Sequence, residues 1–258
     1  MNRIRPCLDR LRQENKKALT LFLTAGFPRL DSTVGLVSAF EDAGADMIEL
    51  GMPFSDPLAD GHVIQECSSV ALRNGVTLEW ILSTVRAIRL NSNMPLVLMG
   101  YLNPILRYGA EKFFADAASS GVDGIILPEV PVEEASRFGS AMASYSLSNI
   151  LLVAPTTPPS RVELIDAASS GFVYCVSGTG VTCRGGKVPD IEYIRSVRLH
   201  VKKNPLLVGF GISKPEDAHA YAHEADGVIV GSALLQRIMK GESTPAISAW
   251  VRELKAAL

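Results

Sequence analysis

At 258 residues, 47% of them hydrophobic, with a formal charge of -2, the chain can bury a large core and carries no electrostatic footprint for nucleic acid. Its basic residues are scattered rather than striped, and no apolar run is long enough to span a bilayer, so neither nucleic acid nor a membrane is an expected partner. Cys7, Cys67, Cys175 and Cys183 have neither metal-site spacing nor the density of a disulfide framework, and read as reduced thiols.

The opening "MNRIRPCLDRLRQENKKAL" lacks the apolar centre of a signal peptide and carries acids that a transit peptide avoids, so a cytoplasmic location is expected. Within it Ile4, Leu8 and Leu11 recur at helical spacing and predict an extra helix closing the bottom of the fold. A first strand run, "LTLFLTAG" at 19–26, is followed by an amphipathic helix from Asp31 to Ala43 and a second strand run, "DMIELG" at 46–51. Two helical patterns come next, Val63 to Arg73 and Thr77 to Leu90, then "PLVLMGY" at 95–101, a helix from Glu111 to Ser120 and "DGIILP" at 123–128. The second half repeats the theme: a helix from Val132 to Tyr145, "NILLVAP" at 149–155, a helix from Ser160 to Ser169, and "FVYCVSG" at 172–178. It ends with "PLLVGFG" at 205–211, a helix from Lys214 to His223 and "DGVIVGS" at 226–232.

Ser32, Thr77 and Ser160 or Ser213 suit helix N-caps, while Gly44, Gly121 and Gly171 fall where helices should stop. The strand runs are continuous rather than alternating, as expected for strands buried on both faces of a parallel sheet. A βα unit repeated about eight times over 258 residues predicts a single (β/α)8 TIM barrel spanning residues 1–258. A doubly wound open sheet would show fewer strands and a G-x-G-x-x-G turn after the first, and "TAGFP" is not that turn. The interval between the second and third runs is the longest, which places an enlarged loop after strand 2 on the catalytic face.

Catalytic groups of a barrel stand at the C-terminal ends of its strands. Glu49 is at that end of the second strand, where Val or Leu would be ordinary, and Asp60 lies in the loop that follows. Desolvation should raise the pKa of Glu49 and suit it to proton transfer, whereas Asp60, among polar neighbours, should stay ionised. Read alone, Glu49 also suits a barrel-interior acid paired with Arg or Lys, and Asp56 and Asp60 suit turn residues among prolines. Asp46 suits a local turn contact. The glycines of "GFGIS" and "GSALL", after the last two strands, match the usual barrel phosphate site, and "GTGVTCRGG" supplies a loop able to fold over it. Phe22, Met99, Tyr101, Ile126, Val153, Tyr174 and Phe210 fall at strand ends, where together they would suit a flat aromatic substrate. No Lys stands at a strand end for Schiff-base chemistry, and the four histidines are dispersed, so no metal is expected. Acid–base chemistry by two carboxylates is what remains.

"IELGMPFSDPLADG" with "IQ" two residues on, "MGYLNPI", "GFVYCVSGTGVT", "VGFGIS" and "GVIVGSAL" together resemble the tryptophan synthase alpha subunit family, in order along the whole chain. The resemblance implies a (β/α)8 barrel that cleaves indole-3-glycerol phosphate to indole and glyceraldehyde 3-phosphate. The indole would pass to a PLP-dependent beta subunit in an alpha2beta2 heterotetramer, with no cofactor in this chain. It implies Glu49 as proton shuttle and Asp60 as the partner of the indole N–H. Phe22, Met99, Tyr101, Ile126, Tyr174 and Phe210 would line the indole pocket, Gly211, Gly231 and Ser232 would cradle phosphate, and Thr182 would bond the catalytic aspartate on closure. Pro53, Asp56, Asn103 and Pro131 would face the beta subunit. The chain departs from the family's S-R-T-G-V-T-G at Gly178 and Cys183, from its "ADGP" at His62, and from its D-x-P at Glu129. Loss of the arginine donors and of the last glycine predicts weak lyase activity with activation of the beta subunit kept.

Overall fold

The computed structural model describes residues 2–176, 191–209 and 211–258, without the side chain of residue 136. The chain begins α1 (Ile4–Gln13), β1 (Ala18–Thr24), α2 (Ser32–Asp42), β2 (Met47–Gly51), α3 (His62–Arg73) and α4 (Leu78–Arg89). It continues β3 (Leu96–Met99), α5 (Leu102–Tyr108), α6 (Ala110–Ser120), β4 (Gly124–Ile126), α7 (Val132–Ser144) and β5 (Ser148–Val153). Then come α8 (Pro159–Ala168), β6 (Val173–Val176), α9 (Ile191–His200), β7 (Leu206–Gly209), α10 (Pro215–Ala222), β8 (Gly227–Val230), α11 (Ser232–Met239) and α12 (Thr244–Ala256). All eight expected strands form, and they close into one parallel barrel in sequence order, with β1 paired to β8. No helix among the described residues is long and apolar enough to cross a membrane.

The register sorts each strand into two faces. Phe22, Glu49, Val97 and Gly124 are partners across four neighbouring strands, and Thr24, Gly51, Met99 and Ile126 form the next layer toward the C-terminal ends. Partners in a parallel ladder share a face, so both sets point into the barrel. Leu152 pairs Tyr174 on the inner face, which leaves Val153 and its partner Cys175 facing the helices. Val153 therefore belongs to the outer core, because one residue of displacement along a strand reverses the side chain.

The bottom is plugged as expected. Ile4, Leu8 and Leu11 of α1 are buried, and the Ile4 side chain, with that of Ile150, occupies the space that a Cβ on Gly124 would need. Burying a side chain of that size contributes about 1.5–3 kcal/mol. Three aspartates preceding strands tie that end together. Asp46, Asp123 and Asp226 accept the backbone N–H of Leu19, Leu96 and Leu206, at 2.8, 2.9 and 2.8 Å, each on the strand before their own. Each also meets a cation: Lys255 at 2.7 Å from Asp46, Arg89 at 2.7 Å and Arg3 at 3.0 Å from Asp123, and Arg198 at 2.7 Å from Asp226. Asp46 thus makes long-range contacts to β1 and α12 rather than a local turn.

Gly44, Gly121 and Gly171 stop their helices with φ of +102°, +97° and +86°, a region that disfavours any residue with a Cβ. Thr77 caps α4 by accepting from Trp80 N at 3.2 Å. Ser32 and Ser160 fall inside their helices instead, and α10 is fastened by Asp217, which accepts from Ser213 N and Lys214 N at 3.1 Å each. Four helices were not expected from periodicity: α5, α9, α11 and α12. α5 and α11 have seven and eight residues, too few for a clear helical period, and α11 runs directly on from the apolar strand β8.

Candidate active site

Glu49 is held by β2 with its carboxyl pointing into the barrel, one layer beneath the mouth. The residue is fully buried, and neither carboxyl oxygen has a hydrogen-bond partner among the described residues. The barrel-interior ion pair that Glu49 alone would also suit is therefore not formed among them. Burial pushes its pKa up to about 8, with no described positive charge offsetting the lost hydration. A protonated carboxyl at neutral pH is a ready proton donor, and its conjugate base is strong enough to take a hydroxyl proton back.

Asp60 comes from the loop between β2 and α3. Its pKa rises to about 6 through burial, a hydrogen bond from the Tyr101 hydroxyl pulls it down, and the charge of Glu129 pushes it up. The polar surroundings expected of the loop are in fact partly closed, because the loop folds its acid inward. At neutral pH the group is still mostly ionised. The same Tyr101 hydroxyl accepts from Ala59 N at 2.9 Å, so one phenol fixes the loop by both its lone pair and its proton. Tyr101 stands at the start of α5, where Glu129 accepts from Leu102 N at 2.6 Å and caps the helix from β4's loop. Phe54 packs on the outer side of the Tyr101 ring, with centroids 5.4 Å apart.

Phe22, Met99, Tyr101 and Asp60 line one cleft. Tyr174 stands on the inner face of β6, its hydroxyl in the space that a Cβ on Gly209 would need. Its phenol is driven well above its usual pKa by burial first and then by the charges of Glu49, Cys175 and Asp60. Ile126 is fully buried on the inner face, in the same layer as its register partner Met99. Gly231 packs against Phe22, whose Cβ would lie 3.2 Å from any Cβ added there, and Ser232 opens α11. Gly211 has φ of +80° and open space where a Cβ would be, so its backbone is approachable. Phe210, Thr182, Gly178 and Cys183 lie outside the described residues. Asp56, Asn103 and Pro131 are exposed and Pro53 is half-buried; Pro53 and Asp56 lie in the loop after β2, Asn103 in the first turn of α5 after β3, and Pro131 in the loop after β4.

Met52, Ile64, Ser68 and Pro128 also line the cleft and were not anticipated. Ile64 and Ser68 are one turn apart on α3, so an i, i+4 reading of the helix after the enlarged loop could have found them. Met52 and Pro128 sit just beyond strand ends, where no residue-type signal separates pocket from turn.

The fold and site define a closed parallel (β/α)8 barrel whose mouth holds one sealed carboxyl and a second on a folded-in loop. Among known families the match is specific. The chain belongs to the tryptophan synthase alpha chain family, whose model matches residues 8–256. It is 47% identical to the tryptophan synthase alpha chain of Chloroflexus aggregans over 100% of this chain and 98% of that one. It is 44% identical to that of Solibacter usitatus, over 99% and 97%. Its fold is similar to tryptophan synthase subunit alpha from Legionella pneumophila, with TM-score 0.89 and 36% identity over 100% of this chain and 98% of that one. It is also similar to a chain of Mycobacterium tuberculosis tryptophan synthase, with TM-score 0.91 and 37% identity over 99% and 98%. The family is a lyase acting on indole-3-glycerol phosphate.

Proposed function

We propose that this chain, acting as one barrel domain, cleaves indole-3-glycerol phosphate to indole and glyceraldehyde 3-phosphate, with Glu49 and Asp60 as its catalytic groups. Glu49 starts protonated and gives its proton to C3 of the indole ring, which places positive charge on the ring nitrogen. Asp60, ionised, accepts the indole N–H and steadies that charge. The Glu49 carboxylate then takes the proton of the glycerol hydroxyl. As the new carbonyl forms, the C–C bond breaks and its electrons restore the aromatic ring, leaving Glu49 protonated again. The reading is carried by the sealed Glu49 carboxyl, with its pKa near 8, in the barrel mouth.

Phe22, Met99, Tyr101, Ile126, Tyr174 and Phe210 hold the indole. Gly211, Gly231 and Ser232 take the phosphate, a role that suits the N-terminus of α11 and the approachable backbone of Gly211. Thr182 bonds Asp60 when the site closes. The partner is a beta subunit carrying PLP, in an alpha2beta2 assembly seated on Pro53, Asp56, Asn103 and Pro131, and this chain itself takes no cofactor. The Phe54–Tyr101 contact is the short route from that face to Asp60. A second reading, in which cleavage is slow and the chain serves chiefly to activate the beta subunit, is favoured by Gly178 and Cys183 in the sixth loop. Indole release from indole-3-glycerol phosphate, measured with and without beta subunit, tests both. Release typical of the family supports the first and overturns the second. No release even with partner present, while the partner is activated, overturns the first and supports the second.

A further inference from the structure

Away from the barrel mouth, α10 carries His219 and the residue that ends it, His223, one turn apart, so both rings lie on one face of the helix. Their Nε2 atoms approach to 3.3 Å, and both side chains are exposed. His219 Nδ1 lies 3.1 Å from the Ala257 carbonyl at the end of α12. A carbonyl only accepts, so Nδ1 carries the proton and the Nε2 of neutral His219 presents a lone pair toward His223.

We propose that His219 and His223 form a chelating site for a divalent transition-metal ion of the zinc or copper type. Two Zn–N bonds of about 2.0–2.1 Å opening at the tetrahedral angle separate their nitrogens by about 3.3–3.4 Å. The observed 3.3 Å equals that bite; in the free state the two rings share one hydrogen bond there, and a metal replaces its proton once His223 takes the Nδ1–H tautomer. The Ala257 carbonyl supplies the outer hydrogen bond that metal-bound histidines use to fix their tautomer, so half of the second shell already stands. Imidazole nitrogens select zinc or copper over magnesium and calcium, which want oxygen. The neighbouring Glu224 is engaged by Arg195 at 2.7 Å. Among the described residues no set of three His, Cys, Asp or Glu gathers around a common point, so water or a small anion completes the coordination. The site is therefore an exchangeable one. Its occupancy pins the last turn of α10 beside the end of α12, and it stabilises the folded chain in proportion to free metal.

The test is a titration of the full chain with zinc ion alone, followed by calorimetry and by imidazole nitrogen NMR. The expected result is a joint shift of the His219 and His223 Nε2 signals. Either His219→Gln or His223→Gln should weaken binding by about tenfold or more, at least the cost of losing an outer-shell partner. His62 and His200 pair instead with Glu66 and Glu163, so His62→Gln and His200→Gln are the controls and should leave affinity unchanged. Zinc binding that survives both α10 changes overturns the proposal, as does the absence of any zinc-dependent shift at these two rings. An equal response to magnesium ion overturns it too.

Discussion

The Tyr101 hydroxyl bonds the Asp60 carboxyl and, by its lone pair, the amide of Ala59 next to it. A catalytic loop is thus positioned by a side chain from a different βα unit. Tyr101→Phe removes both contacts without changing the ring. A hydrogen bond to a charged group contributes about 1.5–3 kcal/mol, so the acid limb of the kcat/KM profile, expected near the Asp60 pKa of about 6, should move up by about one pH unit or more. A change that lowers activity but leaves this limb in place would show that the phenol only packs.

Glu49→Gln separates catalysis from stability. Burial raises the folded-state pKa from 4.5 to about 8, so the folded chain holds a proton that the unfolded chain releases. The native state therefore loses stability as pH rises from about 4.5 to about 8 and levels off above that. At pH 7 the loss is about 3 kcal/mol, and an amide, which cannot ionise, removes it. Urea unfolding should show the variant more stable than the parent at about pH 8, with the difference vanishing near pH 4. Indole release should fall by about a hundredfold or more. Equal stability across this range would mean that Glu49 is not held neutral.

Deprotonation of Glu49 should also produce the alkaline limb of the parent's kcat/KM profile, near pH 8. Cleavage should rise through about pH 6 as Asp60 ionises and fall through about pH 8 as Glu49 does. Rates that keep rising past about pH 9 would contradict a protonated starting state.

At the opposite end of the barrel, Asp123 is fully buried and accepts from Arg3, Arg89 and Leu96. Asp123→Ala leaves the Arg89 guanidinium, itself largely buried, without its charge partner. Breaking such a pair costs about 3–5 kcal/mol, read as a lower urea midpoint, with little change in KM because the active site lies at the other end. Arg3→Ala should cost less, since that side chain is 30% exposed.

The double change Gly178→Arg with Cys183→Gly addresses the sixth loop. Restoring the arginine donors, and at 183 a residue without a Cβ, should raise indole release by about tenfold or more, the worth of one charge-assisted hydrogen bond. Activity typical of the family in the parent, with no gain in the variant, would show that these two positions do not limit cleavage.

Strand order, the plugging helix and the enlarged loop were all legible in the sequence, because each depends on local runs of residues and on their spacing. Glu49 stood out for the same reason: an acid in a continuous apolar strand breaks a local pattern. The family motifs brought Asp60 and the pocket residues with them. What residue types alone could not supply was the environment that the closed barrel creates. The pKa of Asp60 depends on Tyr101, some forty residues later, and on Glu129 from another strand's loop. Val153 and Tyr174 look alike at their strand ends, yet the register turns one outward and the other inward. Ile64 and Ser68 enter the cleft only because α3 lies across the mouth. Periodicity determines which elements form and which face of each is apolar. Which side chains share one small volume, and so how far their charges are desolvated, is decided only when distant segments pack, since burial is a property of the neighbours a residue acquires.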